Sequence, residues 1–247
     1  DLIRSMKPYQ LSVELVIFLH ELGVVGDAWE RLFDETIAGL TFDIEGETLG
    51  IEGTLNFLTD PDRAKREMAA HALSEVFGDN VKTFARVHNT QAKEKEILDR
   101  WRGMPTAQTG RHLSNQVEPE VVEALRNAVV AAYPKLSHRY YELKRKWLGL
   151  DVMQVWDRNA PLPLEDPRIV NWDEAEQTVM DAYTAFDPRM GDLAQPFFTK
   201  GWIDAGVKPG KAPGAFAHPT VTDVHPYVML NYLGKPRDVL PLAHELG

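Results

Sequence analysis

The sequence of 247 residues predicts a mainly α-helical fold with two small β elements. Three observations support this class. Apolar residues recur at helical spacing over most of the chain. Apolar and polar residues alternate over 41–51, which predicts a small antiparallel β-hairpin. Glycine and proline become frequent after Gly201, and strand-like stretches predict a small β-sheet over about 152–160 and 214–232.

The first predicted elements are two helices that lead into the hairpin. Apolar residues within 15–22 follow the i, i+3, i+4, i+7 pattern, and Gly23 predicts the end of that helix. A second helix is predicted over 28–40, with its apolar residues on one face. In the hairpin that follows, Phe42 and Ile44 alternate with polar residues.

A long helix is predicted from Asp60 and Pro61 to about Trp101, either whole or interrupted near Gly78. Aspartate is a favoured N-cap residue, and proline at the first helical position lacks only an N–H that would be unpaired there anyway. A loop is predicted over 102–115, because this stretch combines glycines and a proline.

The next predicted helix begins at Pro119 and ends near Gly149, with a bend at Pro134. The stretch 152–160 lacks helical spacing and is predicted to be a strand.

Three further helices are predicted from capping residues, at Asn171, Asp187 and Asp238. No composition shift marks a sharp domain boundary. We divide the chain into a helical portion with the hairpin, 1–115, and a portion with helices and the small sheet, 116–247.

Charge and composition exclude several classes of protein. The chain carries 37 acidic and 27 basic residues, so its formal net charge is −10. This argues against nucleic-acid binding, which needs cationic side chains to displace counterions from phosphates. The absence of cysteine excludes disulfides and cysteine zinc sites, and it fits a cytoplasmic location.

Two further exclusions concern the membrane and the amino end. No apolar run reaches the roughly 18–20 residues that a membrane span needs, so we expect no membrane partner. Residues 1–4 have the pattern of neither a signal peptide nor an initiation site, so we expect a processed or incomplete amino end.

The last six residues, 242–247, read Leu-Ala-His-Glu-Leu-Gly and hold four of the five positions of the zinc-peptidase pattern His-Glu-x-x-His. Histidines four residues apart lie on one helical face and can bind one Zn²⁺. The glutamate beside the first histidine can take a proton from the water that attacks a peptide carbonyl. Taken alone, so short a pattern favours an incidental histidine at a helix end, because such patterns often occur by chance.

The residues around this pair predict a helix with one buried face. Asp238 is in place to cap it, and Pro241 falls in the first turn, where its missing N–H is tolerated. We therefore expect His244 and Glu245 to lie off the buried face and to point into a cleft. Three apolar residues share that face: Val239, Leu242 and Leu246.

Beyond this motif, an ordered series of segments carries a resemblance that covers nearly the whole chain. The segments are 28–33, 60–63, 139–141, 148–150, 160–162, 202–204, 208–216, 225–227, 231–232, 238–239 and 242–247. In this order and at close to this spacing, they resemble the oligoendopeptidase F branch of the thimet-type zinc metallopeptidases. Because many ordered matches are more specific than one tetrapeptide, they outweigh the reading of an incidental histidine.

The resemblance implies one lobe of a two-lobed, mostly helical enzyme that cuts short peptides in a deep channel. It implies that His244 is the first zinc ligand and that Glu245 is the general base. It also implies that Gly214, Ala215 and Phe216 lie on a strand edge beside the substrate. An exposed strand edge can pair with an extended peptide whatever the peptide's sequence.

The sequence departs from the family pattern in two respects. Pro241 stands where the family more often has a helix-compatible residue. The second histidine, the distal glutamate ligand and the downstream His and Tyr groups of the family are missing, so we expect the chain to be inactive without the carboxy-terminal half of the same enzyme. A non-catalytic helical peptide-binding or scaffold protein with the same fold, and a longer enzyme that has been cleaved, remain alternatives.

Overall fold

The computed structural model describes residues 2–163 and 168–247 and is mainly helical, as predicted. The short β elements lie between the helices. The helices are α1 (Leu2–Met6), α2 (Val13–Gly39), α3 (Ile51–Phe57), α4 (Arg63–Arg102), α5 (Thr109–Ser114), α6 (Pro119–Ala132), α7 (Ser137–Trp147), α8 (Trp172–Phe186), α9 (Pro188–Thr199) and α10 (Val239–Leu246).

Two glycines do not interrupt the helices in which they lie. The predicted end at Gly23 is wrong, because α2 continues through it and covers both helices predicted before residue 40. Likewise α4 continues through Gly78, so the whole-helix alternative is the right one. Glycine in a helix interior disfavours helix by only about 1 kcal/mol, which the helix-forming residues on both sides can outweigh.

The region around Pro134 separates two helices, α6 and α7, where one bent helix was predicted. Proline cannot donate the N–H that a continuing helix needs, so the interruption falls there. The end predicted near Gly149 is confirmed, and this glycine has a φ of +65°, the left-handed conformation that often follows a helix. The stretch 102–115 is not wholly a loop, because it includes the short helix α5.

The predicted hairpin is confirmed as β1 (Phe42–Ile44) and β2 (Glu47–Leu49), paired antiparallel. Its turn residues Glu45 and Gly46 have φ values of +53° and +86°. Two positive φ angles characterise the turn whose twist matches a tight hairpin. Phe42 and Ile44 are both 1% exposed, so the alternation read from the sequence corresponds to one buried face.

A second sheet has three strands in the order β3 (Ile203–Asp204), β5 (Tyr227–Met229) and β4 (Phe216–His218). Strand β3 is parallel to β5, and β4 is antiparallel to β5. The sheet predicted over 214–232 is therefore confirmed.

The predicted strand over 152–160 is wrong, because this stretch forms a 3-10 helix, Val155–Asp157. The side chain of Asp157 accepts a hydrogen bond from the Gln154 N–H at 2.9 Å. This local bond closes a turn and occupies an N–H that a strand would donate to its neighbour.

Two side-chain caps fix the first residues of α8 and α9, the helices that pack against this sheet. The Glu174 N–H donates to Asn171 Oδ1 at 2.9 Å at the start of α8, and the Arg189 N–H donates to Asp187 Oδ1 at 2.8 Å at the start of α9. Both predicted starts are confirmed. The buried core that joins these helices to the three-stranded sheet and α10 consists of Val170, Ala175, Val179, Tyr183, Ala194, Val228, Leu230 and Leu242.

The described chain forms two compact units that interleave along the sequence. One unit contains 1–36 and 77–153, and the other contains 37–76 and 154–247. The second unit holds both β-sheets and α10. The boundary near residue 115 stays a prediction. No helix in the described part of the chain is long and apolar enough to cross a membrane.

Candidate active site

Helix α10 carries the His-Glu pair, and a turn of 3-10 helix, Pro236–Asp238, leads into it. The Asp238 carboxylate does not cap α10 as the sequence suggested. Its Oδ2 instead accepts hydrogen bonds from the N–H groups of Leu233 at 3.2 Å and Lys235 at 3.0 Å. The carboxylate thus closes the preceding turn and sets the direction in which α10 begins.

The two faces of α10 differ in burial as the sequence suggested. Leu242 is 0% exposed and belongs to the core, and Val239 and Leu246 pack against that core. His244 is exposed and Glu245 is partly buried. Burial of the apolar face holds the helix while the imidazole stays accessible.

A buried tyrosine anchors α10 directly beside the pair. The Tyr183 hydroxyl on α8 donates to the main-chain carbonyl of Ala243, the residue before His244. Burial raises the pKa of Tyr183, so the hydroxyl keeps its proton and remains a donor. The sequence carries no local signal for this contact, because 60 positions separate the two partners.

The second part of the candidate site is the edge of the three-stranded sheet. Among the described strands, β4 lies at one end of the order and pairs only with β5. Helix α10 packs against both α8 and β4, so the fold brings the His-Glu helix and the predicted substrate edge together.

The register of the sheet decides which residue of β4 faces the free edge. The Val228 N–H donates to Trp202 O, so the main chain at Val228 points toward β3. Ala217 lies opposite Val228, and Phe216 lies opposite Met229. Main-chain groups alternate along a strand, so Phe216 points its N–H and C=O toward β5, and Ala217 points its own outward.

The main chain of Gly214 is bonded within the protein. Its N–H donates to Glu52 Oε1 at 2.7 Å, and its carbonyl accepts from Asn231 Nδ2 at 3.1 Å. Its φ of +84° lies in the left-handed region that favours glycine. Gly214 therefore shapes the approach to β4, while its own hydrogen-bonding groups are already used.

The residues present fit a zinc site only in part. An imidazole on an exposed helical face is a normal zinc ligand, and His244 meets that description. A catalytic zinc site has three protein ligands. In residues 2–163 and 168–247, no group of three or more His, Asp or Glu side chains is close enough to hold a metal ion. Position 248, where a second histidine would stand, follows the last residue of the sequence.

Comparisons with known proteins identify the family of the chain. The family model described as Peptidase family M3 matches residues 56–247. Group B oligopeptidase PepB of Streptococcus agalactiae is 28% identical over 255 aligned residues, which cover 99% of this chain and 41% of that protein. Oligopeptidase PepF of Bacillus subtilis is 24% identical and is matched over 78% of this chain and 28% of its own length.

Solved structures share the fold. A crystal structure provisionally assigned as an oligoendopeptidase F has a TM-score of 0.84 at 20% identity, and the match covers 97% of this chain and 42% of the other. PZ peptidase A with an inhibitor has a TM-score of 0.83 at 18% identity, with 96% and 42% covered. The chain thus spans about two fifths of the length of PepB and of these two structures.

Proposed function

The chain belongs to peptidase family M3, and from that premise we propose that the complete protein is a zinc-dependent oligoendopeptidase that hydrolyses short peptides. The observation that carries the proposal is the position of α10, whose His-Glu pair lies on a helix packed against the edge strand β4. A base beside an edge that can bind an extended peptide is the arrangement that peptide hydrolysis needs.

In this proposal His244 supplies one zinc ligand, and Glu245 takes the proton of the attacking water. Zinc, when bound, supplies Lewis acidity and lowers the pKa of water toward ~7. Leu242 and the Tyr183 hydroxyl hold the main chain of α10, so the imidazole and the carboxylate keep a fixed direction. The same proposal assigns the remaining ligands to the rest of the complete protein, since this chain spans 41% of the length of PepB.

The peptide itself is proposed to bind along β4. Gly214, Ala215 and Phe216 are proposed to lie beside the bound peptide and to shape its approach, and Ala217, whose main chain faces outward, is proposed to form the main-chain hydrogen bonds with it. The location proposed for the enzyme is the cytoplasm, as the cysteine-free sequence suggested.

The metal requirement is tested with the complete protein and a short quenched-fluorescent peptide. We expect 1,10-phenanthroline to abolish cleavage and added Zn²⁺ to restore it, and we expect residues 1–247 alone to cleave nothing, because three ligands are needed. Cleavage that persists after the metal has been removed and assayed as absent would rule out the zinc mechanism. A complete protein that binds the peptide without cutting it would favour a non-catalytic binding protein.

The edge-strand role predicts a specific effect for Ala217→Pro in the complete protein. Proline removes the outward N–H but no N–H of the β4–β5 ladder, so the sheet should persist. Losing one hydrogen bond and leaving a peptide carbonyl unpaired is expected to raise KM about tenfold, with kcat little changed. Ala217→Ser, which keeps the N–H, is the matched control, and an unchanged KM in the proline variant would place the substrate elsewhere.

A further inference from the structure

The loop between β3 and β4 is held by a buried lysine. Lys211 Nζ donates to three main-chain carbonyls, those of Asp204 at 3.0 Å, Gly206 at 2.8 Å and Leu230 at 2.8 Å. An ammonium group has three N–H donors, so these bonds use its whole donor capacity. The side chain is only 9% exposed, so these bonds are largely shielded from solvent.

A carboxylate neutralises this buried charge. Asp204 Oδ1 lies 3.2 Å from Lys211 Nζ, and the exposed Lys208 Nζ lies 3.3 Å from the same oxygen. The Lys211 ammonium holds the pKa of the Asp204 carboxyl below its usual range. Lys211 and Lys208 therefore share one ionic partner, but they differ in their other bonds: Lys211 also donates to three main-chain carbonyls, whereas Lys208 donates to the Asp204 carboxylate.

The three carbonyls belong to different parts of the sheet and the loop. Asp204 ends β3, Leu230 follows β5, and Gly206 lies in the loop itself. The Leu230 N–H also donates to the Asp204 carbonyl at 3.0 Å, so Lys211 binds where the two parallel strands end. It thereby ties both strand ends to the loop.

The loop that Lys211 holds leads directly into β4. Only residues 212–215 separate Lys211 from Phe216, the first residue of the edge strand. Within that short connection Asn231 Nδ2 donates to the carbonyls of Ala212 at 3.0 Å and Gly214 at 3.1 Å. Only a short connection, itself hydrogen-bonded to Asn231, therefore joins the loop at Lys211 to the start of β4.

We propose that Lys211 is a positioning residue for peptide binding: its ammonium group fixes the loop before β4 and thereby the position of the outward-facing main chain of Ala217. This inference rests on the proposed function, in which β4 receives the peptide. Pairing with β5 keeps β4 in the sheet when Lys211 is replaced, so peptide binding should suffer before folding does.

The test uses the complete protein and compares Lys211→Met with Lys208→Met. The first substitution removes the three donors but keeps an apolar stem of similar length, and the second removes only the exposed ion pair with Asp204. We expect Lys211→Met to raise KM for a short peptide about tenfold, with kcat within about threefold, because a lost binding interaction acts on KM. Lys208→Met is expected to match the wild type.

A double-mutant cycle with Ala217→Pro separates positioning from a merely structural role. If Lys211 acts through β4, the two substitutions damage the same interaction, and their increases in KM do not multiply. The KM of the double variant is then no more than about threefold above that of the single variant with the higher KM. The inference is overturned if the increase in KM of the double variant equals the product of the two single increases. It is also overturned if Lys211→Met is folded and has the wild-type KM. If Lys211→Met is not recovered folded, Lys211→Gln, which keeps two N–H donors, enters the same cycle.

Peptide cleavage by the wild-type complete protein shows whether a negative result contradicts the role of Lys211 or the proposed function on which that role rests. A wild-type complete protein that cuts no peptide refutes the proposed function, and the role of Lys211 in it falls as well. An active wild type whose KM does not depend on Lys211 refutes the positioning role alone.

Discussion

Replacing Glu245 by glutamine in the complete protein is expected to lower kcat for a short peptide by about 10²–10⁴-fold, the usual contribution of a general base. Glutamine has nearly the same shape but cannot take the proton of the attacking water. Because the substitution leaves the main chain of α10 and its buried Leu242 unchanged, KM should change little.

The Glu245→Gln experiment needs one control for the role of Glu245 as the base and one for the role of His244 as a zinc ligand. Glu176→Gln replaces another partly buried glutamate, on α8, and should leave kcat unchanged. Metal analysis should find wild-type zinc in Glu245→Gln and reduced zinc in His244→Ala, because only the histidine is proposed as a ligand. A Glu245→Gln protein with kcat within about threefold of the wild type would exclude this glutamate as the base.

The second large effect concerns stability and is expected for Asp157→Ala. The Asp157 carboxylate is 0% exposed and accepts hydrogen bonds from Arg63 Nε at 3.0 Å, Arg63 Nη2 at 2.9 Å and Arg66 Nη2 at 3.0 Å. It also accepts one from the Gln154 N–H, so one buried group joins the start of α4 to the 3-10 helix.

Alanine at this position would leave the guanidinium of Arg66 buried without its counter-ion, since Arg66 is 3% exposed. Removing one partner of a buried ion pair destabilises proteins by about 3–5 kcal/mol. We expect the lower end, about 3 kcal/mol, because Arg63 is partly exposed and can be hydrated. Urea unfolding measures the change, and Asp192→Ala, an exposed position on α9, should shift the midpoint little.

The same carboxylate predicts how stability depends on pH. Burial alone would raise the pKa of Asp157, but hydrogen bonds from Arg63, the Gln154 N–H and Arg66 outweigh it and lower the pKa from 3.8 to about 2. Because the folded pKa lies below the unfolded one, this stabilisation is present above about pH 4 and is lost as pH falls toward 2. The difference in unfolding free energy between wild type and Asp157→Ala should therefore shrink over that range.

Local sequence signals predicted much of the fold. The caps at Asn171 and Asp187 act within three residues of themselves, and the turn of the hairpin is formed by the adjacent residues Glu45 and Gly46. Such interactions need no distant partner, so composition and spacing reveal them. The wrong predictions arose where local signals compete. Helix-forming residues on both sides outweigh Gly23, and the bond from the Gln154 N–H to the Asp157 carboxylate closes a turn in a stretch that was predicted to be a strand.

Local spacing was enough to predict that α10 exists, that one face of it is apolar, and that His244 and Glu245 lie off that face, because helical periodicity depends only on nearby residues. The groups that surround the pair could not be predicted in this way. The hydroxyl of Tyr183, the ammonium of Lys211 and the outward main chain of Ala217 depend on strand register and on contacts between distant segments. No local pattern predicts these contacts, because the two partners of each are far apart in the sequence and meet only in the folded chain.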